Sequence, residues 1–295
     1  MLFRSSYIEY DDVEKSVMLE ECNLRRRGHG SLVLPEDLQF LNLKTCEDFR
    51  SLCDVPSLKH VRELKEIQIE DCEGIEHVVS STSPSSSFTD SLQTLEILQL
   101  LKLKNLRGLF RKERAASARV PLDTFSSLKV ICIYECPIKK LLPLGLLLHL
   151  HNLEEIYVEN CLELEEIIAE ACDEFEEDEE EKEEKGMHTT KITLPKFRVL
   201  QLNDLPGLKT ICSSSKVIVC DSLESIDIFH CPKLKRLPLS LPLLSNGQLS
   251  PPPSLQNIMI YSREWESLEW DCPDTKNVLQ PFIMYPHFIP RYLHS

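Results

Sequence analysis

The sequence predicts an α/β solenoid, in which short units stack so that their strands form one parallel sheet. The first observation is a repeated apolar pattern. Two segments, LEEIYVENCLELEEI from Leu153 to Ile167 and LESIDIFHCPKLKRL from Leu223 to Leu237, carry apolar side chains at the same six positions. The second observation is the period of two within each segment, which is typical of a short strand with one buried face. A unit used repeatedly indicates a repeat protein.

Eight units fit the template L-x-x-L-x-L-x-x-(C/L)-x-x-L, and the fourth is one residue short between Cys136 and Leu141. A degenerate leading unit is predicted at Val17, Leu19 and Cys22. One unit buries about six apolar side chains at about 1.5–3 kcal/mol each, while ordering its backbone costs about 1–2 kcal/mol per residue. We therefore expect the units to fold together as one cooperative array. The eight units begin at Leu38, Leu64, Leu95, Leu128, Leu153, Phe197, Leu223 and Leu255.

The ninth position of the template, which we call the slot, holds cysteine in most units. Leu103 and Leu205 occupy the same position in two other units, and a metal ligand or a nucleophile could not be replaced by leucine. No C-x-x-C pair occurs among the twelve cysteines, so we expect no structural metal. The slot thiols are predicted to be buried and reduced, as small apolar side chains. They are Cys46, Cys72, Cys136, Cys161 and Cys231.

After the slot, leucines recur at intervals of three, which favours a 3₁₀ or irregular turn on the outer side of each unit. The predicted fold is thus a leucine-rich repeat horseshoe with a concave parallel β-sheet and an irregular or 3₁₀ convex side. We expect a degenerate N-terminal repeat or cap at 1–35, the repeat domain at 36–270 and a C-terminal tail at 271–295. An acidic disordered insertion at about 171–190 is predicted within the repeat domain.

Charge and composition argue against several classes of function. The chain has 48 acidic and 33 basic residues, a net charge of −15 that disfavours nucleic acid as a partner. It contains neither G-x-x-x-x-G-K-[ST] nor G-x-G-x-x-G, so we expect no nucleotide cofactor and no other cofactor. The longest apolar run, LLPLGLLLHL, is too short to span a membrane. The absence of a recognisable secretory signal or an N-x-[ST] sequon favours a cytoplasmic location.

No pattern of residues predicts catalysis. His149 and His151 lie at a repeat edge without a carboxylate or nucleophile at a fitting spacing, so we expect that the chain is not an enzyme. The acidic run DEFEEDEEEKEEK, from Asp173 to Lys185, has consecutive carboxylates without the turn residues of a calcium loop. It is predicted to be a mobile, solvated insertion rather than a cation site.

The candidate binding surface is the concave face, because the period of two points the residues between the buried aliphatics toward solvent. The expected anchors are four aromatic side chains, Tyr134, Tyr157, Phe229 and Tyr261. The alternative is that these rings only satisfy strand propensity. The remaining residues expected to contact a partner are Leu101, Asn42, Gln68, Gln99, Gln201 and Asp227.

The details of the repeats, such as DCEGIEHV, CPKLKRLP and LNDLPGLKTIC, together with the segment SREWESLEWD, resemble a known family. They are similar to the leucine-rich repeat region of plant intracellular resistance receptors of the coiled-coil, nucleotide-binding class. The resemblance implies a sensor that binds a pathogen effector, a guarded host protein or the nucleotide-binding domain of the receptor, and that holds the nucleotide switch inactive.

No nucleotide-binding motif is found, so we expect a truncated receptor, a fragment or a product that kept only the sensor. The alternative function is a protein-interaction scaffold unrelated to immunity.

Overall fold

A computed structural model describes most of the chain and places its strands and helices. The described residues are 15–22, 33–46, 48–80, 91–111, 124–147, 149–169, 190–212, 216–237, 239, 241–242, 248–270 and 272–286. They form seventeen strands, numbered β1 to β17 in chain order, and three short helices, α1 (Leu144–Leu147), α2 (Ser262–Ser267) and α3 (Pro273–Leu279).

Ten of these strands form one parallel sheet, and each strand pairs with the corresponding strand of the next unit. This sheet confirms the predicted repeat solenoid. Its strands, in spatial order, are β1 (Ser16–Glu20), β2 (Phe40–Lys44), β3 (Glu66–Glu70), β5 (Ile97–Leu101), β7 (Val130–Tyr134), β9 (Glu155–Glu159), β12 (Val199–Asn203), β15 (Ser225–Phe229), β16 (Asn257–Ile260) and β17 (Ile283–Met284).

Most inner strands alternate between buried and partly exposed side chains, as the period of two predicts, while in β3 Glu66 is buried as well as Ile67. In β9, for example, Ile156 and Val158 are only 2% and 1% exposed, while the residues on either side of them face the concave surface. The apolar positions of the template units contribute to one continuous core along the solenoid, and the eighth unit supplies only Leu255, Ile258 and Ile260. Neighbouring units therefore share their buried surface, which is what makes the array cooperative.

The residue just before each slot adopts a left-handed backbone conformation. Seven such residues donate their N–H to the carbonyl oxygen of the last residue of the neighbouring strand, at 2.8–3.1 Å. This geometry turns the chain away from the sheet while the hydrogen-bond ladder continues for one more step. No glycine occupies these positions, whose φ angles lie between 50° and 55° at Glu21, Thr45, Asp71, Lys102, Glu135, Asn160, Asp204 and His230.

The outer side of the solenoid differs from the sequence expectation in most units. 3₁₀ helices do occur in the first unit, at Leu52–Asp54 and Pro56–His60. In the second to sixth units the segment after the slot is instead a short strand, because runs such as Ile167–Ile168–Ala169 are buried on both sides and suit a parallel strand. These outer strands form small parallel sheets: β4 (His77–Ser80) with β6 (Gly108–Arg111); β8 (Lys140–Pro143), β10 (Glu166–Ala169) and β13 (Thr210–Cys212); and β11 (Thr190–Thr193) with β14 (Lys216–Val219).

The register of the outer strands confirms that the fourth unit is one residue short. Glu166 of β10 pairs with Lys140 of β8, and Ile168 pairs with Leu142. Ile167 and Leu141 are therefore equivalent, although Ile167 follows its slot by six residues and Leu141 follows Cys136 by five. The deletion falls in the turn after the slot, outside the concave sheet.

Strands lie on both sides of the central units. The leading segment forms β1, which pairs with β2, and β17 pairs with β16 after α3. Helix α2 replaces the turn of the last unit, where the Glu264 Oε1 accepts the N–H of Cys231 at 2.8 Å. The domain limits at 35 and 270 stay a prediction, and the acidic run from Asp173 to Lys185 lies outside the described residues.

Candidate functional site: the concave face

The concave face consists of three parallel columns of side chains, one residue per strand in each. Strand register aligns Asn42, Gln68, Gln99, Cys132, Tyr157, Gln201, Asp227 and Met259 in the central column. The column at the carboxyl end of the strands contains Lys44, Glu70, Leu101, Tyr134, Glu159, Asn203 and Phe229, and Tyr261 follows directly after β16.

A third column at the amino end of the strands was missed by the sequence analysis. It has the same parity as the other two, and this was the signal that could have found it. Its members are Phe40, Glu66, Ile97, Val130, Glu155, Val199, Ser225 and Asn257.

All ten residues expected to contact a partner lie on this face and are partly exposed. The register brings Leu101 beside Tyr134, and Gln68 beside Gln99. The four aromatic anchors do not form one cluster, because Glu159 and Asn203 separate Tyr134 from Phe229 in their column. Their role in binding a partner stays a prediction.

Two anchors do meet, at the carboxyl edge of the last units. The rings of Phe229 and Tyr261 pack edge to face, with centroids 5.6 Å apart. The imidazole of His230 lies 5.2 Å from the Tyr261 ring, and its Nδ1 is 2.9 Å from the Asp204 carboxylate. This group forms a partly exposed aromatic surface with a carboxylate at its margin.

Tyr157 has a different environment, in the central column of the face. Its hydroxyl donates to the Glu155 carboxylate at 2.5 Å, and burial together with this carboxylate raises the pKa of Tyr157. Glu155 also accepts from Arg198 at 2.9 Å. Tyr157 is thus held in place by a polar partner.

Arg198 contacts three carboxylates from the two units on either side of its own. Its guanidinium lies within 2.9–3.6 Å of the carboxylates of Glu154, Glu155 and Glu224. Although burial lowers the pKa of Arg198, the carboxylates of Glu155 and Glu224 outweigh this effect and raise it above the usual value. The surface therefore already contains one arginine bound by carboxylates, which the sequence analysis did not identify.

Four inner strands carry shielded acceptor atoms without hydrogen-bond partners. The Oδ1 atoms of Asn42, Asn203, Asp227 and Asn257 are shielded from solvent and accept no hydrogen bond. Burial raises the pKa of the Asp227 carboxyl, and no hydrogen bond or neighbouring charge lowers it. A buried polar atom without a partner is unfavourable, so these four atoms are an unusual feature of the face.

The slot thiols are buried, as predicted, and they also have a hydrogen-bonding role. Cys72 Sγ donates to the carbonyl oxygens of Glu70 at 3.4 Å and Leu43 at 3.5 Å, and Cys136 and Cys231 make equivalent contacts. Burial raises the pKa of Cys72, Cys136 and Cys231 to about 12. The thiols therefore remain protonated and unreactive at neutral pH.

In the part of the chain that the structure describes, no group of three or more His, Cys, Asp or Glu is placed to hold a metal ion. Within the same residues, no helix has the length and apolar character needed to cross a membrane.

Comparison with known families gives one direct match. The model of plant disease resistance proteins described as RPS2-like, leucine-rich repeats, matches residues 111–243. These residues are similar to the leucine-rich repeats of plant disease resistance proteins. They include four of the ten strands of the concave sheet, β7, β9, β12 and β15.

Two curated relatives to which the chain is similar are also disease resistance proteins. A disease resistance protein of Arabidopsis thaliana is 30% identical over 176 residues, which is 56% of this chain and 15% of the relative. The disease resistance protein UNI of Arabidopsis thaliana is 30% identical over 175 residues, which is 57% of this chain and 17% of UNI. The matches thus span only about a sixth of the relatives' own length.

Among solved structures, the chain is similar to the leucine-rich repeat domain of the type III effector XopL, with 14% identity and a TM-score of 0.33. That match covers 75% of this chain and 63% of the XopL domain. A second similar structure is TLR13 in a complex with ssRNA13, with 14% identity and a TM-score of 0.30, covering 83% of this chain and 45% of TLR13.

Proposed function

We propose that this chain is the protein-recognition module of a plant immune receptor that acts in the cytoplasm. Its concave face binds a pathogen effector or a guarded host protein. The observation that carries the proposal is a concave surface with exposed aromatic rings, built from repeats of the disease resistance type. Aromatic side chains are favoured anchors in protein interfaces, because they bury a large area at a small entropic cost.

The concave face suits recognition because its backbone groups are already paired. The strands hydrogen-bond to each other along the sheet, so the side chains of the three columns are the groups left to contact a partner. Most of these side chains are polar or aromatic rather than aliphatic, which is typical of non-obligate protein interfaces. A partner would therefore be contacted by side chains that the fold does not need for its own stability.

In a full receptor the module also restrains the nucleotide switch. This part of the proposal rests on the family resemblance and on the length of the curated relatives, whose matched segments are a small fraction of each protein. The nucleotide-binding domain would supply the switch, and the repeats would hold it inactive until an effector or a guarded protein is bound.

The test measures binding of the purified chain to the nucleotide-binding portion of a resistance protein and to candidate effectors. The informative variants are Phe229→Ala and Tyr261→Ala, each expected to weaken binding through the concave face by about 2 kcal/mol or more, or roughly 30-fold. The matched control is Leu162→Ala, because Leu162 is 66% exposed and lies after the slot, away from the concave columns.

Binding to the nucleotide-binding portion, lost in the two aromatic variants and kept in the control, supports the proposal. Failure to bind either class of protein favours a scaffold unrelated to immunity. Normal binding by both aromatic variants would move the interface to the convex side or the loops.

A further inference from the structure

The outer side of the solenoid is interrupted between its third and fourth units. Strand β6 of the third unit pairs with β4, and β8 of the fourth unit pairs with β10, but the described strands β6 and β8 do not pair with each other. The interruption coincides with the unit that is one residue short after its slot. A cleft of about 450 Å³ lies there, on the opposite side of each unit from the concave face.

The cleft carries positive charge on a chain that is acidic as a whole. Lys104, Arg107, Lys139 and Lys140 line it, and Glu163 is the one carboxylate among its described lining residues. The net charge of the whole chain is −15, so the cleft reverses the sign locally. A negatively charged segment is the chemistry that complements such a surface.

Two of these cations are left without a carboxylate because their neighbours are already paired. Glu76 pairs with Arg50 at 3.6 Å, and Glu165 pairs with Lys209 at 2.5 Å. Arg107 and Lys139 stand between these two pairs and form no ion pair within the described part of the chain. The six residues hold equivalent places in successive units, in the order Arg50, Glu76, Arg107, Lys139, Glu165 and Lys209.

The most acidic segment of the chain begins beside this cleft. Ala169, the last residue of β10, is in register with Pro143, which lines the cleft. The acidic run starts four residues later, at Asp173, and four extended residues reach at most about 14 Å. Within its thirteen residues, from Asp173 to Lys185, the run has ten acidic and two basic side chains. Both its starting point and its charge therefore match the cleft.

We propose that the acidic run from Asp173 to Lys185 docks on the cleft between β6 and β8, with its carboxylates beside Arg107 and Lys139. Ten acidic side chains share a few cations, so the contact needs no single arrangement of the run and agrees with the mobile insertion expected from the sequence. An acidic segment of another protein has to compete with the run for the same cleft.

The contact is expected to have little effect on the stability of the fold. Arg107 and Lys139 are exposed, and ion pairs between exposed side chains stabilise a protein only slightly. The docked run is therefore detected by competition for the cleft rather than by a change in melting temperature.

The test compares the intact chain with a chain that lacks 173–185, using a fluorescent peptide with the sequence DEFEEDEEEKEEK as the probe. Binding is followed by fluorescence anisotropy at about 50 mM salt, where screening is weak. The shortened chain should bind the peptide with a Kd of roughly 0.1 mM. The intact chain should bind it about tenfold more weakly, because its own tethered run has an effective concentration on the order of millimolar.

A second variant keeps the length of the chain. In it the acidic residues of the run are replaced by asparagine and glutamine, and it should bind the peptide as the shortened chain does. Circular dichroism checks that both variants are folded. The second variant makes the comparison decisive even if the deletion disturbs the fold.

Charge reversal then locates the site on the shortened chain. Arg107→Glu combined with Lys139→Glu should weaken peptide binding at least about tenfold, because two cations of the cleft become carboxylates. The matched control is Lys233→Glu combined with Lys235→Glu, the same change of charge at exposed residues after the slot of the seventh unit. The control should change the Kd by less than about twofold.

Equal binding of the peptide by the intact and neutralised chains would overturn the proposal and leave the cleft open to an acidic segment of another protein. Absence of binding by the neutralised chain would overturn it as well. Equal weakening by the two charge reversals would show a diffuse attraction to the whole surface instead of docking on this cleft.

Discussion

Alanine substitution of two consecutive residues in β15 tests which face of the sheet stabilises the fold. Ile228 is 1% exposed in the core, whereas Phe229 is partly exposed on the concave face. Ile228→Ala removes three carbon atoms, at about 0.8 kcal/mol each, and leaves a cavity in the shared core. The expected loss in the free energy of unfolding is about 3–4 kcal/mol.

Phe229→Ala should have a much smaller effect. It removes the edge-to-face contact with Tyr261, worth about 0.5–1.5 kcal/mol, and leaves the core intact. The expected loss in the free energy of unfolding is about 1 kcal/mol. The backbone of the strand is unchanged in both variants, so the difference between them reports the direction of the two side chains.

The assay is urea unfolding followed by far-UV circular dichroism, with the midpoint and the slope compared between variants. A similar slope and a lower midpoint for Ile228→Ala would match the structure. The reasoning is refuted if Phe229→Ala destabilises the protein as much as Ile228→Ala, because the assignment of buried and concave positions would then be reversed.

Three further predictions follow from other parts of the chain. Cys161→Ala should lower the free energy of unfolding by about 1–2 kcal/mol, as a small cavity does, while Cys161→Asp should unfold neighbouring units. Thiol titration should find the slot cysteines unreactive until the protein unfolds. A native disulfide between two slot cysteines would contradict this prediction. Deletion of 173–185 should leave the melting temperature unchanged, since β10 ends at Ala169 and β11 begins at Thr190. Strong hydrogen-exchange protection within this acidic run would count against the predicted mobile insertion. Burial raises the pKa of Glu264 above its ordinary value of 4.5, so the folded state retains the proton to higher pH than the unfolded chain. The free energy of unfolding should therefore fall as pH rises above about 4.5. Thermal melts at pH 4 to 7 should show a weaker dependence of stability on pH for Glu264→Gln than for the unaltered chain. An equal dependence in both proteins would exclude Glu264 as its source.

Much of the solenoid was predictable because apolar residues recur at the same core positions in successive units. Positions such as Leu153, Ile156 and Val158 are apolar in every unit, and the period of two assigns their direction without any further information. The same argument placed Tyr157 and Asp227 on the concave face, where the structure has them. The pattern of burial can be recognised in the sequence because the hydrophobic effect favours apolar side chains at the same core positions in every unit.

The turn before the slot could not be predicted because its side chains do not repeat. Asn160 and Asp204 belong to residue types that tolerate the left-handed conformation, but Thr45, Lys102 and Glu135 do not signal it. The backbone there is set by the ladder of hydrogen bonds to the next strand. The outer strands were missed for a related reason, because runs buried on both sides lack the alternation that identifies a strand.

The unpartnered acceptors were beyond sequence analysis as well. The template places Asp227 between the units that carry Asn203 and Asn257, as the strand pairing does. Which acceptor atoms are shielded without a donor depends on side-chain packing, which the repeat pattern does not give.

The register of neighbouring strands is constant although the units differ in length, so each residue of the concave face has a fixed position in one of the three columns. Units that begin 25 to 44 residues apart still place one residue per column, because changes of length fall after the slot and outside the main sheet. A substitution at one position of a column alters the surface there and leaves the neighbouring positions unchanged. Such a surface can acquire a new partner by point changes, without any rearrangement of the chain that carries it.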